Sequence, residues 1–99
     1  MTKEGAVKSH IKSILQELGC YSFSPIGGAY SSRGVPDIVG CLNGVFFGIE
    51  AKAGKGKTTA LQDRELQRIR DAGGIALVVN EENLDSLKTV LVEEVRKRM

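Results

Sequence analysis

Gly34-Val35-Pro36-Asp37-Ile38-Val39-Gly40-Cys41-Leu42-Asn43-Gly44-Val45-Phe46-Phe47-Gly48-Ile49-Glu50-Ala51-Lys52 reads as two strands joined by a tight turn. Asn43-Gly44 supplies the turn, because Asn and Gly tolerate the positive φ that a two-residue hairpin needs. Side chains alternate along a strand, so Phe47, Ile49 and Ala51 share one face and Gly48, Glu50 and Lys52 the other. The hairpin partner opens with Asp37, beside that second face. Two carboxylates and an ammonium are thus aimed from one rigid hairpin. Adjacent carboxylates repel unless a proton or cation lies between them, and oxygen ligands of this kind suit Mg²⁺ or Mn²⁺. Glu-x-Lys on its own is often a solvated face. Here charges at 50 and 52 break an otherwise apolar strand, and such local violations fall at functional sites.

Ninety-nine residues, 41% hydrophobic and 26% charged, fit one small globular domain. No apolar run reaches the ~18 residues of a membrane span, and Met1-Thr2-Lys3-Glu4 leads straight into a helical pattern rather than a secretory signal. Cytoplasmic location is the expectation. Cys20 and Cys41 fit buried thiols better than a disulfide or zinc site. His10 is the single histidine, which argues against Ser-His or Cys-His catalysis; it flanks an apolar stripe and is expected to be partly buried. A net charge of +2 permits an anionic partner without requiring one.

The periodicity predicts a helix over 4–18, with Val7, Ile11, Ile14, Leu15 and Leu18 on one face, Thr2 as N-cap and Gly19 as stop. Glu4 sits at the stripe's edge, where it can complement the helix dipole, pair with Lys8 or face the hairpin. A strand is expected over 20–26 and a loop over 27–34. Ser32 and Arg33 in that loop can reach phosphate oxygens or simply be surface. After Lys52, Gly54-Lys55-Gly56-Lys57-Thr58 resembles the tail of a phosphate-binding loop, but the required first glycine is Ala51. A basic loop touching a nucleic-acid backbone through Lys55 and Lys57 fits better. A second helix over 60–72 opens with Thr59 and Gln62 as a capping box, although Gln62 also lies on the inward stripe with Leu66 and Ile69. A buried strand over 75–79 and a helix over 80–98 complete the order α-β-β-β-α-β-α.

These residues resemble the PD-(D/E)XK nuclease core, and more specifically the VRR-NUC (virus-type replication-repair nuclease) family. The matching pieces are Glu4, Arg33-Gly34-Val35-Pro36-Asp37-Ile38, Glu50-Ala51-Lys52, Gln62 and Ala72-Gly73-Gly74. They extend over nearly the whole chain, which therefore looks like a minimal standalone member of the kind typical of phages and prophages. The resemblance implies an α/β restriction-endonuclease-like fold with a mixed central sheet flanked by helices. It implies a Mg²⁺- or Mn²⁺-dependent endonuclease acting on DNA in a bacterial or phage-infected cell. Asp37, Glu50, the Ala51 carbonyl and Glu4 would hold the metal. Lys52 would orient or deprotonate the attacking water, and Gln62 would position Lys52 or the phosphate. A homodimer resolving Holliday junctions is the expected activity. A flap nuclease, a non-catalytic nucleic-acid-binding module and an ATP-binding protein using Gly54 to Thr58 are the alternatives.

Overall fold

The computed structural model describes residues 2–26 and 33–99. The elements run α1 (Lys3–Glu17), β1 (Tyr21–Phe23), β2 (Ile38–Leu42), β3 (Val45–Ala51), α2 (Ala60–Asp71), β4 (Ile75–Val79) and α3 (Leu87–Lys97), with a short 3₁₀ turn at Leu84–Ser86 before α3. The expected order holds. The four strands form one sheet in the order β1-β2-β3-β4. The first two pairings are antiparallel and β3 with β4 is parallel, so the sheet is mixed. That parallel pair follows from chemistry: Asn43 and Gly44 take positive φ and reverse the chain within two residues, whereas the return to β4 crosses over through α2.

The hairpin register pairs Ile38 with Ile49 and Leu42 with Val45. It places Phe47, Ile49 and Ala51 in the main core, as alternation predicts. There they meet Val7, Ile11 and Leu15 of α1 and Leu87, Leu91 and Val95 of α3. Full burial of each of the larger of these side chains, Ala51 apart, stabilises by roughly 1.5–3 kcal/mol. α2 lies against the other face, over β3 and β4. There Gly48 leaves room for Ile69 and Pro36, which a β-carbon would meet at 2.7 and 2.9 Å. The charged positions of β3 thus share a face with α2.

Four expectations are corrected. β1 covers only Tyr21–Phe23 rather than 20–26, because its partner β2 runs out at Ile38 and Pro25 has no N–H to offer a ladder. The last helix starts at Leu87 rather than Asn80. Asn80 and Asn83 capture backbone groups instead: the Asn80 side chain accepts from the Glu82 and Asn83 N–H groups, and that of Asn83 accepts from the Asn80 N–H and donates to the Val78 carbonyl. Such Asn turns compete with helix. Cys41 is exposed, since α2 leaves the β1–β2 half of its face open; Cys20 is partly buried, and burial foremost, with Cys41 nearby, raises its thiol pKa. His10 is exposed on the outer side of α1. No helix among the described residues is long and apolar enough to cross a membrane.

Candidate metal centre

The site is built at the end of the sheet where β2 begins and β3 ends. One step before the Ile38–Ile49 pair, Asp37 comes opposite Glu50. Asp37 is fixed by the strand itself: its Oδ2 accepts the Ala51 N–H at 2.9 Å. Glu50 is only 2% exposed, and its neighbours Ala51 and Lys52 are held by the ladder, with the Lys52 N–H donating to the Val79 carbonyl at 2.9 Å. Alternation then puts the Lys52 side chain on the Glu50 side. α1 contributes Glu4 from its first turn. Thr2 caps that turn, its Oγ1 accepting the Gly5 N–H at 2.9 Å, which settles where the helix begins and hence where Glu4 points.

Carboxylate oxygens of Glu4, Asp37 and Glu50 all lie within 4.8 Å of one another. Glu50 Oε2 is buried without a hydrogen-bond partner among the described residues. A buried polar atom of this kind costs about 1–3 kcal/mol unless something satisfies it. Glu50 is accordingly pushed up to about 8, first by burial, then by sharing a proton with Asp37 and by that residue's charge; Glu4 adds to this and Lys52 opposes it. Asp37 moves down: burial works against its charge, but the bond with Glu50, the Ala51 N–H and Lys8 outweigh it. An all-oxygen donor set with an unsatisfied buried carboxylate oxygen fits a hard divalent ion such as Mg²⁺ or Mn²⁺.

The sequence offered Lys8 only as one possible partner of Glu4. In the structure the Lys8 Nζ instead lies 3.3 Å from Asp37 Oδ1. The signal was present, since positions 4 and 8 share a helix face, but the i,i+4 pair looked self-sufficient while the sheet was unseen. Gln62 is half-buried and closes the capping box: its Oε1 accepts the Thr59 N–H at 2.9 Å, and its own N–H donates to Thr59 Oγ1 at 3.2 Å. The capping box uses the Gln62 Oε1 and backbone N–H and leaves the two donors of its amide nitrogen to other partners. Arg33, Lys55 and Lys57 are exposed; Ser32 lies outside the described residues, as does most of the segment expected as a loop over 27–34.

The loop after Lys52 is tied down by a residue the sequence did not single out. The Gly54 N–H donates to both oxygens of the Glu81 carboxylate, at 3.1 and 2.9 Å. The Gly56 N–H donates to the Ala53 carbonyl. A phosphate-binding loop needs such amides free to face the phosphate, so these bonds weigh against nucleotide binding here. Glu81→Ala is expected to release the loop. Hydrogen exchange at the Gly54 amide, followed by NMR, should speed up by at least tenfold while core amides of β3 keep their protection.

No protein-family model matches the chain and no curated protein matches it. Among solved structures it is similar to one described as a VRR_NUC domain. That structure is 28% identical with a TM-score of 0.70, and the likeness covers 88% of this chain and 95% of the other.

Proposed function

We propose that the chain, similar over most of its length to a solved VRR_NUC domain, is a nuclease of the VRR-NUC, PD-(D/E)XK type, and that it is a metal-dependent, structure-specific DNA endonuclease. The observation that carries the reading is the close cluster of the Glu4, Asp37 and Glu50 carboxylates, in which Glu50 Oε2 is buried without a hydrogen-bond partner among the described residues. Asp37, Glu50, the Ala51 carbonyl and Glu4 would hold Mg²⁺ or Mn²⁺. Bound there, the ion supplies Lewis-acid charge at the phosphoryl oxygens and a water of lowered pKa. Lys52, which directly follows β3 and whose backbone N–H is held by the Val79 carbonyl, would orient the attacking water and offset charge on the phosphorane. Gln62 would use the amide donors that the capping box leaves over to position Lys52 or the scissile phosphate. Arg33, Ser32, Lys55 and Lys57 take backbone phosphates, contacts that position DNA without reading its sequence.

The preferred substrate we propose is branched DNA, a four-way junction before a flap. Symmetric cutting of two strands needs two sites related by a two-fold axis, which a homodimer of this chain provides. The test is a cleavage assay on labelled four-way junction, flap, single-stranded and linear duplex DNA, in EDTA, Mg²⁺ or Mn²⁺. Metal-dependent cutting is expected, lost in Asp37→Ala and Lys52→Ala, with Lys52→Ala still binding DNA. The substrate cut fastest separates junction resolution from flap removal. Folded protein that binds DNA yet cuts none of these with either metal would be a binding module.

A further inference from the structure

We propose that Lys8 is a positioning residue that couples metal binding to DNA binding: its ammonium holds Asp37 in the free protein and transfers to a DNA phosphate when the carboxylates take up the divalent ion. The inference rests on the metal-centre reading above and adds a residue to it.

Three observations carry it. Asp37 has two oxygens with different fates. Oδ2 is fixed by the Ala51 N–H, and Oδ1 is the one Lys8 holds, at 3.3 Å. A divalent ion bound by Asp37 therefore puts positive charge beside the Lys8 ammonium, and two cations at one carboxylate repel. The second observation is position. Glu50 is 2% exposed, the Asp37 side chain 19% and the Lys8 side chain 38%. Lys8 therefore lies at the solvent side of the cluster, where DNA has to arrive. The third is reach. Lys8 rides on α1 one turn beyond Glu4, on the same face, and its four-carbon stem lets the ammonium change partners without moving the helix. Lys8 thus opposes the metal when DNA is absent and gains a phosphate partner when DNA is present. By linkage, each ligand then tightens the other.

The test uses the full chain and Lys8→Met, which keeps most of the stem and removes the charge. Mn²⁺ affinity is measured by calorimetry without DNA. Affinity for a four-way junction is measured by fluorescence anisotropy with Mn²⁺ across a salt series, both with and without the Lys8 change in a Lys52→Ala background that holds cleavage off. Lys8→Met is expected to bind Mn²⁺ about fivefold or more tightly without DNA. It should bind the junction more weakly, with a salt slope lower by about one phosphate contact. A residue serving only the fold would not tighten metal binding when removed. Unchanged or weaker Mn²⁺ binding in Lys8→Met, or an unchanged salt slope, overturns the inference. Glu50→Gln separates the two levels. If wild-type protein binds Mn²⁺ and Glu50→Gln does not, the metal centre stands and only the Lys8 assignment has failed. Wild-type protein that binds no Mn²⁺ overturns both.

Discussion

Glu50→Gln is expected to lower divalent-dependent cleavage by on the order of 10³-fold and, in EDTA, to make the protein more stable at pH 8. Both effects come from one carboxyl group. Its charge is what a hard divalent ion needs, and a neutral amide of the same shape supplies none. The same charge is costly without a cation. Glu50 is buried and shares a proton with Asp37, so in the fold it titrates near 8 against an ordinary 4.5. The folded chain therefore holds a proton that the unfolded chain has already released, and stability falls as pH rises between 4.5 and 8. The slope from this one group approaches about 1.4 kcal/mol per pH unit inside that window. Asp37, shifted the other way, acts only below its ordinary 3.8 and leaves the window untouched. Urea unfolding of wild-type and Glu50→Gln protein at pH 5, 6, 7 and 8 in EDTA checks the prediction. The wild-type decline should be largely absent in the variant. Equal slopes in the two proteins would show that Glu50 ionises normally and that the cluster is not strained. Added Mn²⁺ should reverse the trend in wild-type protein, because binding the metal expels the Glu50 proton and becomes more favourable with pH up to about 8.

Gly34→Ala is expected to cost about 3 kcal/mol of stability and to weaken metal binding with it, although Gly34 carries no functional group. Gly34 takes φ +82 and sits on the backbone at the start of α2. A β-carbon there would lie 2.5 Å from the Leu61 carbonyl carbon and oxygen and 2.8 Å from the Gln62 nitrogen. These neighbours are main chain and cannot swing aside as a side-chain tip does. Left-handed strain costs roughly 1–2 kcal/mol for a residue with a β-carbon, and overpacking a close contact roughly 1–3 kcal/mol. Relieving the clash by moving the segment that carries Gly34 would lift Val35-Pro36-Asp37 off α2. Asp37 would then lose its register opposite Glu50. Denaturant unfolding and Mn²⁺ calorimetry together check this. By contrast Gly44→Ala, also at positive φ but with nothing within 4 Å of its β-carbon, should lose stability through backbone strain alone and bind Mn²⁺ normally. If Gly34→Ala were no more damaging than Gly44→Ala, the contact with α2 would not be what places Asp37.

Much of this protein was readable one residue at a time. The Asn43-Gly44 turn, the alternation of Phe47, Ile49 and Ala51 with Gly48, Glu50 and Lys52, the Thr2 cap and the Thr59–Gln62 box are local events, governed by φ preferences, a period of two and side chains that reach their own backbone. They suffice for the hairpin, the α2 start and the facing of the two carboxylates. Local chemistry also misled where two signals competed. Asn80 and Asn83 spend their side chains on backbone groups, which an apolar stripe beginning nearby conceals. Other features have no local cause. Lys8 could pair with Glu4, since four residues separate them on a helix; only the docking of α1 against the sheet brings Asp37 Oδ1 within its reach. Glu81 and Gly54 are far apart in sequence, so their bond exists only once β4 lies parallel to β3. Cys41 is exposed because α2 covers two strands and not four, a fact of packing rather than of composition. Sequence by itself determined which groups could do chemistry and which way the hairpin aimed them. Tertiary structure decided which charges meet, because carboxylate repulsion, burial and a lysine's choice of partner depend on distances through space that no spacing along the chain specifies.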